Sequence, residues 1–219
     1  MIEKEEQKKL VALLLDRHGR TFSAELGIEL SSNEPAPLFQ WLCASLLMSA
    51  RISTCLAMRA EAALIDKGWT AANKMADSSW EERVEVLNRA GYARFDENTA
   101  RLLGDTVGLL IDNYDGDLRR LRAKAGHDPK IERQLLKAFK GIGDVGVDIF
   151  FREAQDIWEE LYPFAGKKAI GAARALGLPT SALTLADLVK REDFTQMIAA
   201  LIRAELAGDL ENIHRTALA

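Results

Sequence analysis

The chain has 219 residues, with 29 Lys+Arg against 33 Asp+Glu, two cysteines and 48% hydrophobic residues. That length is enough for one or two compact domains with a proper core, and a charged content of 28% is ordinary for a folded protein, which excludes wholesale disorder. A net charge of -4 with an isoelectric point near 5.5 excludes a broadly basic, indiscriminate nucleic-acid binder, so any polyanion contact must come from a local patch.

In chain order, the N-terminal MIEKEEQKKL is charged where a signal peptide would be apolar, and no apolar stretch reaches membrane-spanning length. A reducing cytoplasm is the expected address. Cys43 and Cys55 can build neither a disulfide framework nor a four-thiolate metal site. Asn33-Glu34-Pro35 reads as a helix start, and the most apolar segment follows over 38–65 as helical core. Ser78 with Glu81 and Ser79 with Glu82 offer two capping boxes for a helix around 80–90. Leu103, Val107 and Leu110 mark one face of a helix over 97–112, widened by Leu102 and Leu109. Asp115-Gly116 lies between that helix and a basic segment. In 149–161, Phe150, Ala154, Ile157, Trp158 and Leu161 recur at helical spacing and predict one helix. Thr180 and Ser181 after Pro179 are a further start. Alternating strand patterns and hairpin signals between apolar runs are missing, so the fold class is all-α.

The most informative stretch is Leu136–Asp148. It predicts a helix ending at Phe139, a Gly141-Ile142-Gly143 turn, and a second helix starting at about Asp144. Glycines there permit positive φ and close backbone approach, while Ile142 can plug into the core. The first N–H groups of the second helix have no internal partner and suit an anion such as phosphate. Many helix–helix turns use glycine for structure alone. The surroundings add weight: from Arg119 to Lys140 there are eight basic residues and only two acids, Asp128 and Glu132, a local excess of +6.

Lys140-Gly141-Ile142-Gly143, set between an amphipathic helix and a helix carrying Ile149 and Phe150, resembles the helix-hairpin-helix of the endonuclease III-like DNA glycosylases. The run Pro37–Arg51 is similar to that family's long helix ending in a Leu-Ser-Ala-Gln loop, with Arg51 where relatives insert a Gln into the DNA stack. Asn88–Phe95 resembles its Gly-aromatic turn. Together these cover about 37–180. The resemblance implies an all-α, two-lobed protein. One lobe would be the contiguous 52–146, ending in a helix-hairpin-helix at about 131–152; the other would join 1–51 to 147–219. DNA would lie across a cleft, with a base flipped out for chemistry.

The resemblance breaks at the catalytic positions. The family's Lys nucleophile corresponds to Val145, which can neither attack a sugar nor form an imine. Its catalytic Asp corresponds to Ala165 or Gly166 in Tyr162–Lys168, and neither carries a carboxylate to stabilise a cationic sugar. No Cys follows Cys55, so the iron-sulfur cluster of many relatives has no ligands. Asp144 and Asp148 read as helix caps, and Glu159 and Glu160 as solvated. His18, His127 and His214 are too scattered for a metal site. The expectation is a DNA-binding protein of this superfamily without lyase chemistry or cofactor, its partner duplex DNA, damaged or distorted. Lys140, Gly141, Ile142, Gly143, Val145, Lys167, Lys168 and Arg51 are the expected contacts. The alternatives are a monofunctional glycosylase with a relocated acid, and a non-catalytic protein-interaction descendant.

Overall fold

The computed structural model describes residues 3–217. Among these there are helices and turns but no strands. The helices, in order, are α1 (Lys4–His18), α2 (Phe22–Glu25), α3 (Pro35–Ser49), α4 (Thr54–Asp66), α5 (Ala72–Ala76), α6 (Trp80–Arg89) and α7 (Asp96–Tyr114). They continue with α8 (Leu118–Lys124), α9 (Pro129–Leu136), α10 (Asp144–Ala154), α11 (Lys167–Ala175), α12 (Ala182–Ala186), α13 (Arg191–Ala207) and α14 (Leu210–Ala217). No helix among the described residues is long and apolar enough to cross a membrane.

The chain divides into two compact units: 26–150, and a second made of 1–25 with 151–219. Residues 26–51, which the sequence places with the chain ends, cluster here with the contiguous unit. The reason is α3, whose residues Leu38, Phe39 and Trp41 through Leu47 are all buried. A helix that is apolar on every side needs neighbours all round. It finds them in α4 and α8, while Trp41 donates its indole N–H to the Phe150 carbonyl at 3.1 Å.

Around α3, sequence signals translate directly into caps. Ser79 and Glu82 form the capping box that starts α6, with bonds of 3.1 and 2.8 Å. Ser78 is drawn off instead, donating to the Met75 carbonyl. Leu103, Val107 and Leu110 of α7 are buried as expected. Asp115 and Gly116, both in the left-handed region, close that helix with bonds back to Ile111 and Leu110.

The second unit is built on α13, which buries Phe194, Met197, Ile198 and Leu201 among others. Leu10 and Leu14 of α1 and the small residues Ala169, Ala172 and Ala173 of α11 belong to the same core. Here α2 is held by a buried carboxylate: Glu153 accepts from the backbone N–H of Phe22 and Ser23 at 3.0 and 2.8 Å. The guanidinium groups of Arg152 and Arg203 both lie over the Phe22 ring, at 4.4 and 4.1 Å from its centroid.

The predicted helix over 149–161 stops at Ala154. Its apolar spacing is genuine, since Phe150, Ala154, Trp158 and Leu161 are all buried. The chain nevertheless turns at Gln155, whose side-chain amide bonds the Arg152 carbonyl and both the N–H and the carbonyl of Phe164. Glu159 and Glu160 then fall in a short 3-10 turn rather than on a helix.

Candidate nucleic-acid interface

Between α9 and α10 the chain runs in consecutive four-residue turns rather than in helix up to Phe139. Phe139 N–H bonds the Leu136 carbonyl and Ile142 N–H bonds the Phe139 carbonyl, at 3.2 and 3.0 Å. Every third residue, Leu136, Phe139 and Ile142, is therefore a buried plug, with Phe139 stacked on Tyr114. Gly141 has φ +89°, a conformation that requires glycine, while a Cβ there would stand 2.9 Å from the movable Cδ1 of Leu102. Gly143 is exposed with open space around its Cα. It occupies the N-cap position of α10, and its carbonyl accepts the first helical bond, from Val147. Val145, in the first turn, is 61% exposed.

The basic run is not a free patch. Arg119 meets Asp117 and Glu34, and Arg120 meets Asp115. Arg133 meets Asp148 at 2.7 Å, Lys137 meets Asp144 at 2.9 Å, and Lys140 meets Asp105 at 3.0 Å. The +6 excess was an effect of where the window was drawn. Asp115, Asp117, Asp144 and Asp148 flank it closely in sequence, while Glu34 and Asp105 arrive through the fold. These pairs are mostly exposed, and exposed ion pairs are weak and exchangeable, on the order of 0–1 kcal/mol.

Arg51 and Gly141 line a common cavity of about 220 Å³ with Ser49, Tyr92, Asn98 and Thr99. Gly91, at φ +87°, makes the turn that brings Tyr92 there. Burial pushes the Tyr92 phenol above its ordinary range, partly offset by the Thr99 hydroxyl. Ser49 donates to the Leu46 carbonyl and lies 3.4 Å from the Gly141 carbonyl. Thus the contiguous unit brings together Arg51, the Gly-aromatic turn and the glycine turn.

The other expected residues belong to the second unit. Ala165 and Gly166 are half-buried, with Gly166 the N-cap of α11. Lys167 and Lys168 are exposed in its first turn, and Lys168 Nζ is 4.0 Å from Glu205. Two cations at the positive end of a helix oppose its dipole. They add to the potential of the free amides rather than neutralising it. Sequence reasoning missed Asp156 in this unit. Its carboxylate accepts from Thr195 at 2.5 Å and lies 3.7 Å from Arg191, which stacks on Tyr162 at 3.6 Å. Burial raises its pKa against the pull of Thr195 and Arg191. Neither its spacing nor its neighbours in sequence signal this environment.

The sequence matches no protein-family model and no curated protein. The fold is similar to that of a trapped endonuclease III–DNA covalent intermediate, an estranged-adenine complex. The TM-score is 0.52 at 14% identity, over 93% of this chain and 86% of that one. The chain therefore has an endonuclease III-like all-α fold.

Proposed function

We propose that this protein binds duplex DNA, holding a backbone phosphate at the start of α10 in a helix-hairpin-helix, and that it lacks the lyase chemistry of the glycosylase fold. The observation that carries the reading is the start of α10 within that fold. The turn is anchored by Ile142 and fitted to glycine at Gly141, and it leaves an exposed helix N-terminus capped by no side chain at Gly143. Lys167 and Lys168 at the start of α11 offer a second anion-attracting helix end. Arg51, exposed at the mouth of its cavity, is the candidate for a contact inside the duplex. The ion pairs around α9 and α10 are consistent with this role, because a phosphate can replace a carboxylate partner. The side chain of Val145 carries no amine, and Ala165 and Gly166 carry no carboxylate, which supports binding without strand cleavage.

Gly143→Asp separates phosphate binding from folding. Asp is a slightly better N-cap than glycine, by a few tenths of a kcal/mol, so the melting temperature should hold or rise. The same carboxylate repels phosphate, so affinity for a fluorescent duplex at low salt should fall at least tenfold and the salt dependence should flatten. Unchanged affinity in Gly143→Asp would sink the reading. Borohydride should trap no adduct with abasic duplex.

A second reading, a monofunctional glycosylase, is favoured by Asp156, a solvent-accessible acid with a raised pKa in the same unit as Ala165 and Gly166. Base release from damaged duplex that disappears in Asp156→Asn would replace the first reading by this one.

A further inference from the structure

A second cavity in the contiguous unit, about 490 Å³, lies against α5, α6 and α7 and contains neither Arg51 nor the glycine turn. That volume is in the range of small-molecule sites. Its walls are mixed, with Met75, Trp80, Val107 and Ile111 beside the charged Arg83, Arg101, Asp105 and Asp112. Gly104 and Gly108 present no side chain to it from α7.

Arg83 makes this cavity unusual. The residue is 91% buried, yet no carboxylate among the described residues lies within 4 Å of its guanidinium. Its Nε donates to the Ala100 carbonyl at 3.0 Å and its Nη1 to Ser78 at 2.8 Å. Its Nη2 meets no acceptor among the described residues and lies 2.8 Å from where a Cβ on Gly104 would stand. Glycine at 104 is thus what leaves room for the group, and Gly104 itself lines the cavity. Burial lowers the Arg83 pKa more than Glu81 and Glu82 raise it, as expected for a cation without a close partner. An unclaimed guanidinium edge at a cavity wall can take an anionic acceptor, best supplied by a carboxylate.

The rim determines the rest of the ligand. Arg101, Asp105 and Asp112 also line the cavity, Asp105 with Lys140 at 3.0 Å, so its charges nearly balance and a singly charged ligand suits it better than a multiply charged one. Trp80, 40% exposed and fixed by its indole bond to the Glu97 carbonyl at 3.1 Å, offers an aromatic surface in the same cavity as the guanidinium.

We propose that this cavity binds a small monocarboxylate with an apolar or aromatic body, its carboxylate held by Arg83 and its body laid against Trp80. The cavity lining contains none of the residues proposed to contact DNA, and meets them only through the Asp105–Lys140 ion pair. Phenylacetate is a suitable probe, titrated into the full-length 15N-labelled protein while the Arg83 Nε–Hε resonance, assigned by its loss in Arg83→Lys, is followed. A saturable shift is expected, with benzyl alcohol and inorganic phosphate each at least tenfold weaker. Gly108→Leu fills the cavity where a Cβ meets nothing within 4 Å and leaves Arg83 untouched; it should retain the circular dichroism spectrum and lose phenylacetate at least tenfold. Trp80→Ala, at a partly exposed position, should weaken phenylacetate at least threefold and serves if Gly108→Leu does not fold. No saturable shift, equal binding by phosphate, or phenylacetate affinity unchanged in the folded cavity variants overturns the proposal.

Discussion

At the residue scale, the contiguous unit carries a buried acid with no evident task. Glu61 of α4 is 1% exposed, and its Oε2 has no hydrogen-bond partner among the described residues. Burial raises its pKa well above the ordinary carboxyl value. The sign of the pH effect follows. The folded state holds this proton more tightly than the unfolded chain does, so stability falls as pH rises from the ordinary carboxyl pKa, about 4.3, toward the raised folded value. Glu61→Met should therefore stabilise the protein by about 1–3 kcal/mol at neutral pH and by much less near pH 4. Urea melts at the two values test this; an equal gain at both would refute it. Cys43, also fully buried, has its thiol pKa raised by burial and then by Glu61, whereas Cys55 is exposed. Under native conditions iodoacetamide should modify Cys55 and leave Cys43 until the protein unfolds.

At the element scale, α10 and its neighbours show which local signals were readable. The Ser79–Glu82 box worked because a cap is settled within four residues. The start of α10 at Asp144 and the Ile142 plug were readable for the same reason. The end of α10 was not, because apolar periodicity cannot register that Gln155 spends its amide on Phe164. The basic run misled for a related reason: a charge count along the chain omits partners from other elements, as Lys140 and Asp105 illustrate. This yields a test with an unusual sign. Asp144→Asn releases Lys137 and Arg133 from an exposed carboxylate at the proposed phosphate site. Folding stability should drop by no more than about 1 kcal/mol, while duplex affinity at low salt should rise severalfold. A fall in affinity would mean that the carboxylate organises the site instead of screening it.

At the scale of the whole molecule, the all-α fold class was legible because it rests on sums over many windows, whereas the grouping of 26–51 depended on the surroundings of α3 alone. The division has a consequence for folding. Residues 26–154, which keep α10 whole, contain the contiguous unit without a break, and this fragment should melt cooperatively with a helical spectrum. Residues 151–219 alone lack Leu10 and Leu14 of α1, which complete the core around α13, and should stay largely unfolded. A folded 151–219 fragment would show that α1 is dispensable.

Each unit also holds one wholly buried indole, Trp41 in the contiguous part and Trp158 in the other. The molecule thus carries a separate optical reporter in each half. Emission from a Trp158→Phe protein comes from Trp41, Trp69 and Trp80 and follows the contiguous unit, whereas Trp158, left alone once those three are replaced by Phe, follows the other. Comparing the two red shifts during denaturation would show whether the halves melt as one cooperative unit or in sequence.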